Sequence, residues 1–248
     1  MIGFMSVNVE PTDGFEGPAS PADSHLRLND RVIRSALVAR LATLPIKPKA
    51  VLEEVRVHNG NAIADVVAVS RFLHCYEIKG ATDSIRRLLR QGRFYDLAFM
   101  KTTLVTAESR LKTAIQTAPP HWGVMTASVV DGRNVAITYV RGASSSPSYD
   151  KKVALLTLWR SELLEVAAPF DQKANQLNRS ELTELIASSL TKAELAEVIG
   201  AKLSTRLRKP EGLGHVGDVS VYRRFQDASG RHLVANHVGF VANEAVAK

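Results

Sequence analysis

The sequence predicts an α/β fold with a mostly helical C-terminal region. Three observations carry this. A helical apolar period near residue 30 gives way to three β-branched runs separated by turn signals. A second amphipathic segment and further strand-like runs follow. After "GASSSPS", residues 142–148, the chain returns to helical spacing.

Taken in order, residues 1–23 hold three prolines, three glycines and no apolar period, so they read as a disordered acidic arm. From Ser24 to Thr43, Val32, Ile33, Leu37, Val38 and Leu41 follow helical spacing, with Asp30 near the start and Pro45 and Pro48 as terminators. Strands are expected at about 51–58, 61–69 and 72–79. The helix after them spans Thr82 to Phe99, with Thr82 or Asp83 as its cap and Ile85, Leu88, Leu89 and Phe99 on one side. A strand at 102–106, a helix at 107–117 and strands at 123–130 and 134–140 complete a core over 24–141. Residues 142–149 read as a linker. Region 150–248 carries helices at about 150–167, 179–190 and 192–208, then a strand pair at 218–226 and 231–241.

The single cysteine, Cys75, excludes an internal disulfide and fits a reducing compartment. With no apolar run near the ~20 residues a membrane helix needs, the expected location is cytoplasmic. The net charge of +7 is uneven: residues 1–23 carry −4, and the remainder sets 32 basic against 21 acidic side chains. That balance suits a polyanionic partner such as DNA.

Turn chemistry fixes two strand registers. With Asn59-Gly60 as a hairpin turn, paired residues have numbers summing to 119, and Glu54 falls opposite Asp65. With Ser70, Arg71 and Phe72 as the next turn the sum is 142, and Asp65 falls opposite Glu77. The three acids then make a row on one face, Lys79 returns to that face, and Glu53 points away with Val51, Val55 and Val57. Like charges about 5 Å apart across a sheet repel. A divalent cation removes the objection, and hard oxygen ligands suit Mg²⁺, with Mn²⁺ as substitute. Lys79 is suited to a phosphate or an attacking water. These groups meet the needs of phosphodiester hydrolysis. The plain alternative is solvated strand acids with Lys79 as their ion-pair partner.

The run "EVRVHNGNAIAD" followed by "YEIKG" resembles the PD-(D/E)XK nuclease superfamily, closest to a group of uncharacterised bacterial nuclease-like proteins. The resemblance covers about residues 50–106. It implies a restriction-endonuclease-like core of helix, three antiparallel strands, helix and strand. Asp65 resembles the motif aspartate, Glu77 the (D/E) and Lys79 the lysine, while Glu54 resembles an acid often found upstream. Ile78 would lend a backbone carbonyl to the metal, and Gln91 resembles a helical glutamine of several branches. Ile63 departs from the arginine expected two residues before the aspartate.

Asp83, Arg87 and Gln91 recur every four residues, with Arg86, Arg90 and Arg93 beside them. These arginines could meet phosphates, or form an ordinary solvated helix face; Phe94 and Tyr95 read as packing residues. Further on, Ala196 and Gly200, followed by Lys202 and Arg206, resemble a helix-turn-helix, with Arg223, Arg224 and Arg231 on a wing. A helical extension packed on the core is the plainer account of them. His215, His232 and His237 have no metal-ligand spacing.

The expected activity is Mg²⁺-dependent hydrolysis of DNA, and a homodimer would suit cutting of both strands. The alternative is a DNA- or protein-binding module on the same fold that does not cleave, in a defence or mobile-element system. RNA as substrate stays open.

Overall fold

The computed structural model describes residues 27–206, apart from position 85, together with the pair Tyr222–Arg223. The acidic arm, the three C-terminal histidines and most of the expected wing lie outside the described residues. Among the described residues no helix is long and apolar enough to cross a membrane.

Helix α1 runs Asp30–Ala42 and buries Ile33, Leu37, Val38 and Leu41. Asp30 stands at its start as expected, in the first helical turn, and the N-cap is Asn29, whose side chain accepts from Val32 N at 3.0 Å. Strands β1 (Ala50–Val57), β2 (Ala62–Val69) and β3 (Leu73–Lys79) form an antiparallel meander. Helix α2 (Arg86–Ala98) then returns the chain to β4 (Lys101–Ala107), which lies parallel to β3. After one 3-10 turn and α3 (Leu111–Thr117), β5 (Gly123–Val130) adds in parallel and β6 (Asn134–Arg141) antiparallel. The sheet order is β6-β5-β4-β3-β2-β1, with the two-residue β7 (Tyr222–Arg223) beside β1.

Both expected registers are present. Val57 pairs with Ala62 and Ala50 with Val69, numbers summing to 119. Val69 pairs with Leu73 and Val66 with Tyr76, summing to 142. The first turn is wider than a two-residue loop. His58, Asn59 and Gly60 all hold positive φ (49°, 59° and 89°), and the Asn61 side chain donates to His58 O at 2.8 Å. Asparagine and glycine tolerate this backbone; His58 adopts it against its usual preference.

The sheet has an apolar layer on each side. On one, α1 packs over Val51, Val66, Ala68, Tyr76, Ile78, Val105 and Met125. On the other, Leu88, Tyr95 and Phe99 of α2 and its end cover Leu52, Val55, Val67, Cys75 and Leu104. This second layer continues without a break into α4 (Lys151–Leu155), α5 (Arg160–Ala167), α6 (Arg179–Ser189) and α7 (Lys192–Arg206), through Leu155, Leu163, Ile186 and Ile199.

Two expectations change here. The segment read as a linker is pinned to the core: Ser146 is buried, its N–H bonds Met100 O at 2.8 Å, and its hydroxyl bonds Asp96 O at 2.7 Å. Serine-rich composition suggests a flexible tether, but hydroxyls also satisfy carbonyls at a helix end. Gly200, expected as a turn, lies inside the continuous helix α7, where a Cβ would stand 2.4 Å from Val69 Cγ1. The glycine serves close helix–sheet approach, so α7 holds no helix-turn-helix bend.

Candidate functional site

The pleat of the β1–β2 hairpin changes phase at one pair. Leu52 and Val55, three residues apart, both join the layer under α2, and so do Ala64 and Val67. Between them stand Glu54 and Asp65, the residues the register sets opposite each other. Glu54 has φ +55°, and the ladder pairs Glu53 with Val66 and Val55 with Ala64 on either side of it. Consequently Val51 packs under α1 while Val55 and Val57 pack under α2, contrary to the single face expected for all three.

Beyond Val66↔Tyr76 the β2–β3 ladder ends. In place of a main-chain partner, Asp65 Oδ2 accepts from Ile78 N at 2.7 Å. A carboxylate therefore sits where two strands part, with 20% of its side chain exposed. Burial, then the charge of Glu77, pushes its pKa up to about 7, against the opposing pull of the Ile78 N–H and Lys79. Glu77 follows Leu73 and Cys75 on the α2 side and is 2% exposed. Its Oε1 meets Lys79 Nζ at 2.6 Å, and its buried Oε2 has no hydrogen-bond partner among the described residues. The Tyr95 hydroxyl donates to Ile63 O at 2.7 Å; burial and the Glu77 charge keep it protonated.

Sequence reasoning missed Arg34. From α1 its guanidinium reaches Asp30 at 2.9 Å, Glu54 at 3.1 Å, Asp65 at 3.5 Å and Glu53 at 3.7 Å. Glu53, expected to point away, is buried within this group. The Asp30–Arg34 spacing of four was the available signal, since it places the two on one helical stripe.

The acid row is therefore divided. Asp65 and Glu77 feel each other's charge, whereas Glu54 turns to Arg34 with 45% of its side chain exposed. Among the described residues no three His, Cys, Asp or Glu side chains are grouped to hold a metal. Two carboxylates remain, and Mg²⁺ commonly takes one or two from protein with water completing the shell. The buried Glu77 carboxylate, held by Lys79 and close to the Tyr95 hydroxyl, and the raised Asp65 pKa fit such an ion.

Gln91 lines a groove of about 420 Å³ with Asn61, Arg90, Arg93 and Phe94. The Arg93 guanidinium lies 4.8 Å over the Phe94 ring, whose other neighbour is His58 at 5.0 Å. Arg86 and Arg87 stand on α2, with side chains outside the described part. Lys202 and Arg206 are engaged within the chain. Lys202 pairs with Glu165; Arg206 bonds Glu162 at 2.9 Å and lies 4.0 Å over Trp159. A phosphate contact would have to compete with those carboxylates.

A family model described as bacteriophage P4 protein cII matches residues 25–210, three quarters of the 248 positions. The chain belongs to that family. The match spans strands β1–β6 and helices α1–α7 of the described residues. No curated protein matches the chain. A solved protein of unknown function from Silicibacter pomeroyi is similar at 14% identity over 62% of this cII-family chain and 96% of its own, with a TM-score of 0.35.

Proposed function

We propose that this cII-family protein is a divalent-cation-dependent nuclease, with a restriction-endonuclease-like core, that hydrolyses DNA phosphodiester bonds. The observation that carries the reading is the meeting of Asp65, Glu77 and Lys79 where β2 and β3 part. Burying two repelling carboxylates beside an ammonium is a poor arrangement for stability and a good one for phosphoryl chemistry. Asp65 and Glu77, with the Ile78 carbonyl, would hold Mg²⁺, which supplies charge neutralisation at the phosphoryl oxygens and a more acidic bound water. Ile78 N–H fixes the Asp65 carboxylate by holding Oδ2. Lys79, anchored to Glu77, can orient a water nucleophile and offset charge as the P–O bond breaks. Arg90 and Arg93 flank the groove beside Asn61, where a phosphate backbone could lie.

The second reading is a binding module that does not cleave. It draws on Arg34, which already neutralises part of the acid cluster, and on the separation of Glu54 from Glu77. One experiment separates the two. Purified protein is incubated with plasmid, linear duplex, single-stranded DNA and RNA, with Mg²⁺, Mn²⁺ or EDTA, beside Asp65→Ala and Lys79→Ala. Cleavage lost in EDTA and in both variants supports the nuclease. Retained binding with no cleavage by wild type supports the module.

A further inference from the structure

Arg34 brings one positive charge to four carboxylates, and it does so from a fixed base. Ile33 and Leu37 beside it on α1 are fully buried, so the helix cannot drift while the side chain reaches across. The guanidinium holds two kinds of partner. Asp30, at 2.9 Å, lies on its own helix four residues away. Glu54 and Asp65 lie on the paired strands, and Asp65 is also a member of the candidate metal pair. A cation approaching Asp65 Oδ1 meets a guanidinium already 3.5 Å from that oxygen. Like charges at such separation repel strongly where water is scarce.

From this we infer that Arg34 is an internal counter-cation that competes with the divalent ion for Asp65 and sets the cation concentration at which the site fills. Filling draws Asp65 Oδ1 toward the metal while Arg34 keeps its bond to Asp30. Arg34 is thus a positioning residue, acting through Asp65 rather than on substrate. The inference rests on the metal site of the nuclease reading. It adds a direction that reading does not contain: loss of a residue in contact with a ligand should tighten metal binding. A purely structural Arg34 would do the reverse, because its loss would leave the carboxylates disordered.

The test is a Mn²⁺ titration of the full chain by calorimetry at low salt. It compares wild type, Arg34→Gln, Arg34→Lys and Asp65→Asn, with thermal melts of each in EDTA and in Mn²⁺. Arg34→Gln is expected to bind Mn²⁺ roughly tenfold tighter and to show a larger melting-temperature rise with metal than wild type. Arg34→Lys, which keeps the charge, should stay within about threefold of wild type. If Arg34→Gln does not fold in EDTA, recovery of its melt by Mn²⁺ supports the inference, and a failure to recover overturns it. Wild-type binding that depends on Asp65, with Arg34→Gln no tighter, overturns the inference and leaves the metal site standing. No Mn²⁺ uptake by wild type or Arg34→Gln removes both.

Discussion

The Asp65 carboxylate accepts from the backbone N–H of Ile78 at 2.7 Å, at the point where the β2–β3 ladder has already ended. A side chain takes the place of a main-chain partner. The strands can part there without orphaning the amide, beside the buried Glu77–Lys79 pair. Substituting Asp65 therefore touches both the chemistry and the strand gap, and the choice of substitution decides which is read.

Lys79→Ala removes the ammonium without touching that bond. Under the nuclease reading, cleavage should fall by roughly 100-fold or more, with DNA affinity changed far less. Gel-based cleavage rates and fluorescence anisotropy on the same preparation measure the two effects. Equal rates for wild type and variant would contradict the role given to Lys79.

Asp65→Asn preserves shape and an acceptor for Ile78. The folded Asp65 pKa of about 7 lies above its ordinary 3.8, so the native state binds the extra proton between those values. Its contribution to stability is full below pH 3.8 and is lost as pH rises through 7. Between pH 5 and 8 the stability difference should move in favour of Asp65→Asn by about 2 to 3 kcal/mol. Urea unfolding at the two pH values, in EDTA, reads this shift.

His74 titrates in the opposite sense. Burial, with Lys101 nearby, lowers its pKa to about 3, while its ring bonds Thr103 Oγ1 at 2.8 Å and stacks on Tyr76. The unfolded chain thus binds the proton first. The stability contributed by neutral His74 is complete above 6.5 and is lost as pH falls toward 3. The slope from this group should reach about 1.4 kcal/mol per pH unit at its steepest. His74→Phe should flatten the wild-type decline between pH 6 and 4.5 in chemical denaturation.

Gly200→Ala would raise helix propensity by about 1 kcal/mol, yet its Cβ would fall 2.4 Å from Val69 Cγ1. The clash should win, with a net loss of about 1 kcal/mol or more. Combined with Val69→Ala, the loss should be smaller than the two single losses added together. A double-mutant cycle of melting temperatures would show the coupling.

The sheet and both of its hairpin registers were legible because Asn59-Gly60 and the β-branched runs are local signals that tertiary packing did not override. That register brings Asp65 near Glu77 and Lys79, although the ladder ends at Val66↔Tyr76, one pair before Asp65 and Glu77 would pair. Glu54 did not follow, because a strict period of two assumes an uninterrupted pleat, and the positive φ at Glu54 breaks it. Arg34 was hidden for a different reason: its partners lie 19 to 31 positions away on other elements, and only Asp30 is close in sequence. Composition alone does not show that the Ser146 segment is pinned, since the carbonyls it satisfies belong to α2 and the turn after it.

The unbroken apolar layer running from the sheet through α2 into α4–α7 limits how this protein can be cut, swapped or borrowed. A fragment ending near residue 141 keeps α2 but loses α4–α7, and would expose to water the parts of the layer that those helices cover, the Val69 side chain under Gly200 among them. Whatever chemistry resides at the strand gap is inherited with the helices or not at all, so a transplant into another scaffold must carry the whole of residues 27–206.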